Sequence, residues 1–152
     1  MFIKLIVTGI GLLLVSCSTG KYGNSSILSF GQGETTTDTG VRYLLGRGVP
    51  RDDQQAFYYF NRAANDGDPF AENELAYMYA AGKGTRQDYT SALNWYKQAA
   101  SHDLASAQYN LGLMYLYGLG TAPNKILARK WFRASAAHGF EPARDALTRY
   151  QL

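Results

Sequence analysis

Downstream of Asp88, apolar residues fall at Ala92, Trp95, Tyr96, Ala99 and Ala100. The spacing i, i+3, i+4, i+7, i+8 draws one stripe along an α-helix and predicts a helix buried along one side. A second stripe follows at Ala107, Leu111, Met114 and Tyr115, matched upstream by Ala71, Leu75, Met78 and Tyr79. It predicts a second kind of helix, here called A, alternating with the first, B. No segment sustains the polar/apolar alternation of a strand. Both patterns recur at a fixed offset of 36 residues without gaps: Ala56, Ala92 and Ala128 correspond, as do Tyr59-Phe60, Trp95-Tyr96 and Trp131-Phe132. A period of this size marks a stacked array of one supersecondary unit.

The polar positions between the stripes supply starts and stops. Asp52, Asp88 and Asn124 share one repeat position, and their side-chain oxygens suit the free N–H groups of a first helical turn. Each predicts the start of a B helix. Gly67, Asp103 and Gly139 stand at the B-helix exits, where a left-handed residue ends the helix. Asp68-Pro69 supplies a cap and a first-turn proline for a following A helix. The pairs Gly46/Gly48, Gly82/Gly84 and Gly118/Gly120 then break helix A and reverse the chain, and small Ala76 and Gly112 are expected to let helices approach closely. Each unit is therefore expected to be an antiparallel helical hairpin. In the first unit Gly40 and Tyr43 match their counterparts, but Thr39 replaces the core leucine and Thr35 the alanine, so its A helix is expected to be short or frayed. Pro142, Ala143, Leu147 and Tyr150 predict a final A-type helix that caps the stack.

The pattern Leu111-Gly112, Met114-Tyr115, Gly118/Gly120, Asn124, Ala128, Trp131-Phe132, Ala136 resembles the Sel1-like repeat, over about Gly40 to Leu147. The resemblance implies an all-α solenoid of about three helix-turn-helix repeats, related to tetratricopeptide arrays, and a non-enzymatic adaptor role with protein partners. Some secreted members staple each repeat with a disulfide. This chain has no cysteine in any repeat, so that subgroup's function is not carried over. In tetratricopeptide arrays the A helices line the ligand groove, and the A-helix positions that change chemistry here are Asn73 to Tyr109, Glu74 to Asn110 and Tyr77 to Leu113. Residues 73 and 77, like 109 and 113, are i, i+4 neighbours on one face. The expected partner strip is Asn73, Glu74, Tyr77, Tyr109, Asn110, Leu113 and Tyr117. The competing expectation is that Tyr77 and Leu113 complete the packing between repeats and that Arg149 closes one end of the groove.

The N-terminal pattern is different. Lys4 precedes an apolar run, Leu5 to Val15, too short to span a bilayer, and Ser16-Cys17 follows. This reads as an export signal over residues 1–16. Leu14-Val15-Ser16-Cys17 further resembles the bacterial lipobox, which implies cleavage before Cys17, diacylglycerol on its sulfur and acylation of the new amino terminus. Cys17 is the single cysteine of the chain. Ser18 after it resembles the outer-membrane sorting pattern, placing the protein at the envelope, facing the periplasm. Residues 17–39, rich in Gly, Ser and Thr, are expected to form a flexible tether, and residues 40–152 the repeat domain.

Charge changes the picture at one point. The net charge is +3, but Asp52 to Glu74 holds six acids against Arg62, whereas Lys125 to Arg149 holds six bases against Glu141 and Asp145. Two solvated faces, or end-to-end complementarity with a partner or an anionic surface, are both expected readings; exported, the chain is not expected to meet nucleic acid. Catalytic chemistry is sparse. His102 and His138 are repeat equivalents, which suits a turn better than a metal or active site. Gly82-Lys-Gly-Thr85 lacks Walker spacing, Asp52-Asp53 and Glu72/Glu74 do not form an acid/base pair, and no cofactor or metal is expected. The rival readings are a cell-wall or polysaccharide-acting enzyme, which needs convergent acid/base or nucleophilic residues outside repeat positions, and a ligand-binding envelope sensor or inhibitor.

Overall fold

The structure, a computed structural model, describes residues 34–152. Cys17, the export signal and the tether up to residue 33 lie outside the described residues. Seven helices follow one another: α1 (Thr36–Leu45), α2 (Asp53–Asn65), α3 (Pro69–Ala81), α4 (Tyr89–Ser101), α5 (Ala105–Tyr117), α6 (Lys125–Ala137) and α7 (Glu141–Arg149). Each packs chiefly on its neighbours in sequence. The result is three hairpins, α1–α2, α3–α4 and α5–α6, with α7 laid on the last. The described residues form an all-α solenoid without strands.

The helix starts are where the polar residues put them. Asp52 accepts from the N–H of Gln54 and Gln55, Asp88 from Thr90 and Ser91, Asn124 from Leu127, and Asp68 from Phe70 and Ala71. α5 and α7 are the exceptions, entered through Leu104 and Phe140 with no side-chain cap. Asp103 is left-handed at the B-helix exit, with φ 59°, in company with Gly67 and Gly139.

The first A helix differs from expectation at its start. Thr36 to Thr39, assigned by the sequence to the tether, are helical, because Thr35 forms a reciprocal capping box with Asp38. The substitution of Thr35 for alanine makes a helix start. α1 is short, 10 residues against 13 in α3, and capped at both ends.

Within the hairpins the core packs a repeated aromatic on a small residue. Phe60, Tyr96 and Phe132 on the B helices are fully buried. A Cβ on Gly40 would come within 3.0 Å of the Phe60 ring, and one on Gly112 within 2.7 Å of Phe132. Gly40, Ala76 and Gly112 are repeat equivalents, so the close helix approach expected at Ala76 and Gly112 extends to the first hairpin. Turns lock successive hairpins together: a Cβ on Gly84 would sit 2.0 Å from the carbonyl oxygen of Asp53 on α2, and one on Gly120 2.3 Å from that of Tyr89 on α4. The turn after each of these A helices thus seats on the first turn of the preceding B helix.

Candidate interaction surface

The two kinds of helix divide the molecule between inside and outside. α3 and α5 are buried around almost their whole circumference, from Ala71 to Met78 and from Ser106 to Met114 save Tyr109. They form the interior of the array, and the polar residues they carry are buried with them. α2, α4 and α6 keep one buried stripe and an exposed face.

This overturns most of the strip expected from the sequence. Asn73, Glu74, Tyr77, Asn110 and Leu113 are at most 5% exposed and offer nothing to a partner. Their chemistry is turned inward: Asn73 Nδ2 donates to Glu74 Oε1 at 3.2 Å, and Asn110 Nδ2 donates to Asn73 Oδ1 at 3.2 Å. The polar residues thus tie α3 to α5. Burial pushes the Glu74 carboxyl up to about 8, against a smaller lowering by the Asn73 hydrogen bond and Lys83, so the group is largely protonated at neutral pH. Burial, then Glu74 and Tyr77, raises the Tyr96 phenol well above its usual range. Lys83 stands 4.9 Å over the Tyr77 ring, which closes this cluster from outside.

Tyr109 and Tyr117 are half-buried and meet at the C-terminal edge of the array. The Tyr109 ring lies 5.5 Å from Phe132 and 5.4 Å from Phe140, and the hydroxyls of Tyr117 and Tyr150 are 2.7 Å apart. Burial and, for Tyr117, the bond to Tyr150 raise both phenols. Between Tyr109 and α7 lies a cleft of about 80 Å³ lined by Pro142, Asp145, Ala146, Arg149 and Tyr150. That is far below the several hundred Å³ of a typical small-molecule site, and suits one side chain of a partner. Arg149 does stand at this end, as a wall of the cleft.

The histidines occupy B-helix exits, as expected, His102 ending α4 and His138 ending α6. What the sequence did not reveal is a carboxylate opposite each: His102 Nε2 lies 3.8 Å from buried Glu72, and His138 Nε2 3.7 Å from exposed Asp103. The first pair lies within the α3–α4 hairpin, and the second joins one repeat to the next. Loss of water raises the Glu72 carboxyl, against the pull of His102. Among the described residues no three His, Cys, Asp or Glu side chains are placed to hold a metal ion.

The acidic end is likewise largely absorbed, with Asp66 left exposed. Glu72 and Glu74 are buried, Asp52 and Asp68 cap helices, and Asp53 pairs with Arg51 at 3.1 Å. The basic end remains exposed on α6.

Stacked antiparallel hairpins, whose A helices are almost wholly buried and whose B helices keep one exposed face, define an α-solenoid of the interaction-scaffold class. The Sel1 repeat family model matches residues 27–68, 69–104 and 105–140, one match for each hairpin. The chain belongs to the Sel1 repeat family. The matched region starts ahead of Gly40, where the sequence pattern becomes clear, and ends before α7. A Sel1 repeat protein from Oxalobacter formigenes is 38% identical, with a TM-score of 0.68 over 75% of this chain and 86% of that one. The protein c5321, described as a protective antigen of uropathogenic Escherichia coli with an SLR fold, is 34% identical with the same TM-score; the match covers 68% of this chain and 22% of that one. No functionally curated protein matches the chain. Sel1 repeat proteins generally mediate protein–protein interaction, and the fold is typically a non-enzymatic scaffold.

Proposed function

We infer that the protein is a non-enzymatic adaptor of the bacterial envelope, held to the outer membrane by lipid on Cys17 and presenting its repeats to a protein partner in the periplasm, within an assembly or secretion machine. The observation that carries the adaptor reading is the Sel1 array itself, matched over 27–140. Its partner-facing part is the aromatic edge at Tyr109, Tyr117 and Tyr150 beside Arg149. Tyrosine and arginine are the residue types that most often anchor interfaces, and this edge leaves them accessible beside a cleft sized for one side chain.

The test is photo-crosslinking in living cells. A crosslinking residue at position 149 is expected to capture one discrete protein, and one at position 62, on the outer face of α2, is not. Capture from 62 alone overturns the assignment of the edge. The anchor is tested separately: fatty-acid labelling is expected to vanish in Cys17→Ser, and persistent labelling removes the lipid from the proposal.

A further inference from the structure

The outer face of α6 differs from those of α2 and α4. Lys125, Arg129 and Arg133 follow at i, i+4 and i+8, and Ile126 and Lys130 run beside them; all five are exposed. Ile126 is 80% exposed, the most exposed large hydrophobic among the described residues. α6 contains no acid, and none of the four bases forms an ion pair among the described residues. Lys130 instead stands 5.4 Å over the half-buried Trp131 ring.

The fold explains where this face comes from. On α2 and α4 the positions equivalent to Arg129 are Phe57 and Leu93, packed against the core. They are covered because the next A helix ends in a turn that seats there, Gly84 against Asp53 and Phe57, and Gly120 against Tyr89. α7 has 9 residues where α3 has 13, and among the described residues no such turn is seated on α6. A solvated cap requires only that this edge be polar. Four unpaired bases, an exposed isoleucine and an adjoining tryptophan are more than that.

We propose that the outer face of α6 docks on an anionic lipid surface, with Lys125, Arg129, Lys130 and Arg133 against the headgroups and Ile126 entering the interface. Charge complementarity selects an anionic occupant. Among the described residues the five exposed side chains line neither of the two best-formed clefts, and an open basic face suits a fluid array of phosphates rather than a folded acidic protein. The apolar stripe of α6 is taken up by the core, so its outer face would bind as a basic cluster attracted to anionic headgroups, with Ile126 adding apolar contact at the interface, where tryptophan is also favoured. This docking does not rest on the adaptor reading or on lipidation of Cys17.

The test uses the full unlipidated chain and vesicles of phosphatidylcholine alone or with about one third phosphatidylglycerol. The neutral vesicles account for binding by the N-terminal apolar run. The anionic vesicles are expected to bind at least about tenfold more tightly, with the excess lost at high salt. Replacing Lys125, Arg129, Lys130 and Arg133 by glutamine abolishes the excess, and Ile126→Ser weakens it, with helicity unchanged by circular dichroism. A charge-matched variant with glutamine at Arg47, Arg62, Arg86 and Lys97 keeps it. Equal binding to both vesicles overturns the proposal, as does equal loss in the charge-matched variant, which makes the effect one of net charge. Binding to soluble polyglutamate but not to vesicles reassigns the face to an acidic polypeptide and overturns it as well.

Discussion

Glu74 shows how much one side chain's role depends on what surrounds it. In the unfolded chain its carboxyl returns to about 4.5, whereas in the fold burial pushes it up to about 8. Between those values the native state holds a proton that the unfolded chain has released, so stability falls as pH rises across the window and levels off above it. Glu74→Gln removes this titration and keeps a donor and an acceptor beside Asn73. Chemical denaturation on either side of the window is expected to show a flatter pH profile for the variant. Above the window the variant should exceed the parent by a stability on the order of a few kcal/mol. Glu72, also raised, has the same sign in both proteins, so the difference between them reports Glu74. A variant that follows the parent across the window shows that Glu74 is ionised in the fold.

At the scale of elements, the sequence was legible wherever the determinant is local. Caps at Asp52, Asp68, Asp88 and Asn124, and the left-handed exits, depend on a few adjacent residues, and they set the hairpins. Thr35 was misjudged because its role follows from Asp38 and not from the repeat register. The inner faces of α3 and α5 were not legible for another reason. Whether Asn73 or Tyr77 meets solvent depends on how closely hairpins stack, which is decided by contacts between groups distant in sequence, such as Gly84 on Asp53 and Gly120 on Tyr89. Tyr109 and Tyr117 stayed accessible because α7 covers their edge only in part. Asp68 joins both kinds of determinant: it caps α3 and also accepts a hydrogen bond from Thr37 Oγ1 on α1. Asp68→Ala is therefore expected to cost about 1–2 kcal/mol and to loosen α1. Thr37→Val, which leaves the cap, should loosen α1 alone. Hydrogen exchange resolved by helix checks both; equal protection of α1 in the parent and both variants shows that the tie has no energetic weight.

For the array as a whole, the same stacking rule leaves two seats unfilled among the described residues. Gly84 and Gly120 seat their turns on the preceding B helix, but Gly48, their equivalent in the first turn, has within 4 Å of its would-be Cβ only Arg42 Nη2 at 3.8 Å. At the far end α6 has no turn seated on it among the described residues. The first turn of one copy is thus shaped to sit on α6 of another, a head-to-tail contact that repeats without closing. Like charge opposes it, since Arg47 on the exposed first turn would meet Arg129 and its neighbours on α6. Replacing Arg129 by leucine restores the apolar residue that α2 and α4 carry at this position, as Phe57 and Leu93. Sedimentation velocity over a concentration series is expected to show larger species for Arg129→Leu than for the parent, with an unchanged circular dichroism spectrum. Adding Gly48→Asn, a residue that tolerates the left-handed backbone but brings the Cβ that the Gly84 and Gly120 seats exclude, should reverse the association. If Arg129→Leu sediments like the parent at every concentration, charge is not what keeps the ends apart. If association survives Gly48→Asn, the contact does not use the turn-on-helix seat that joins the repeats within the chain.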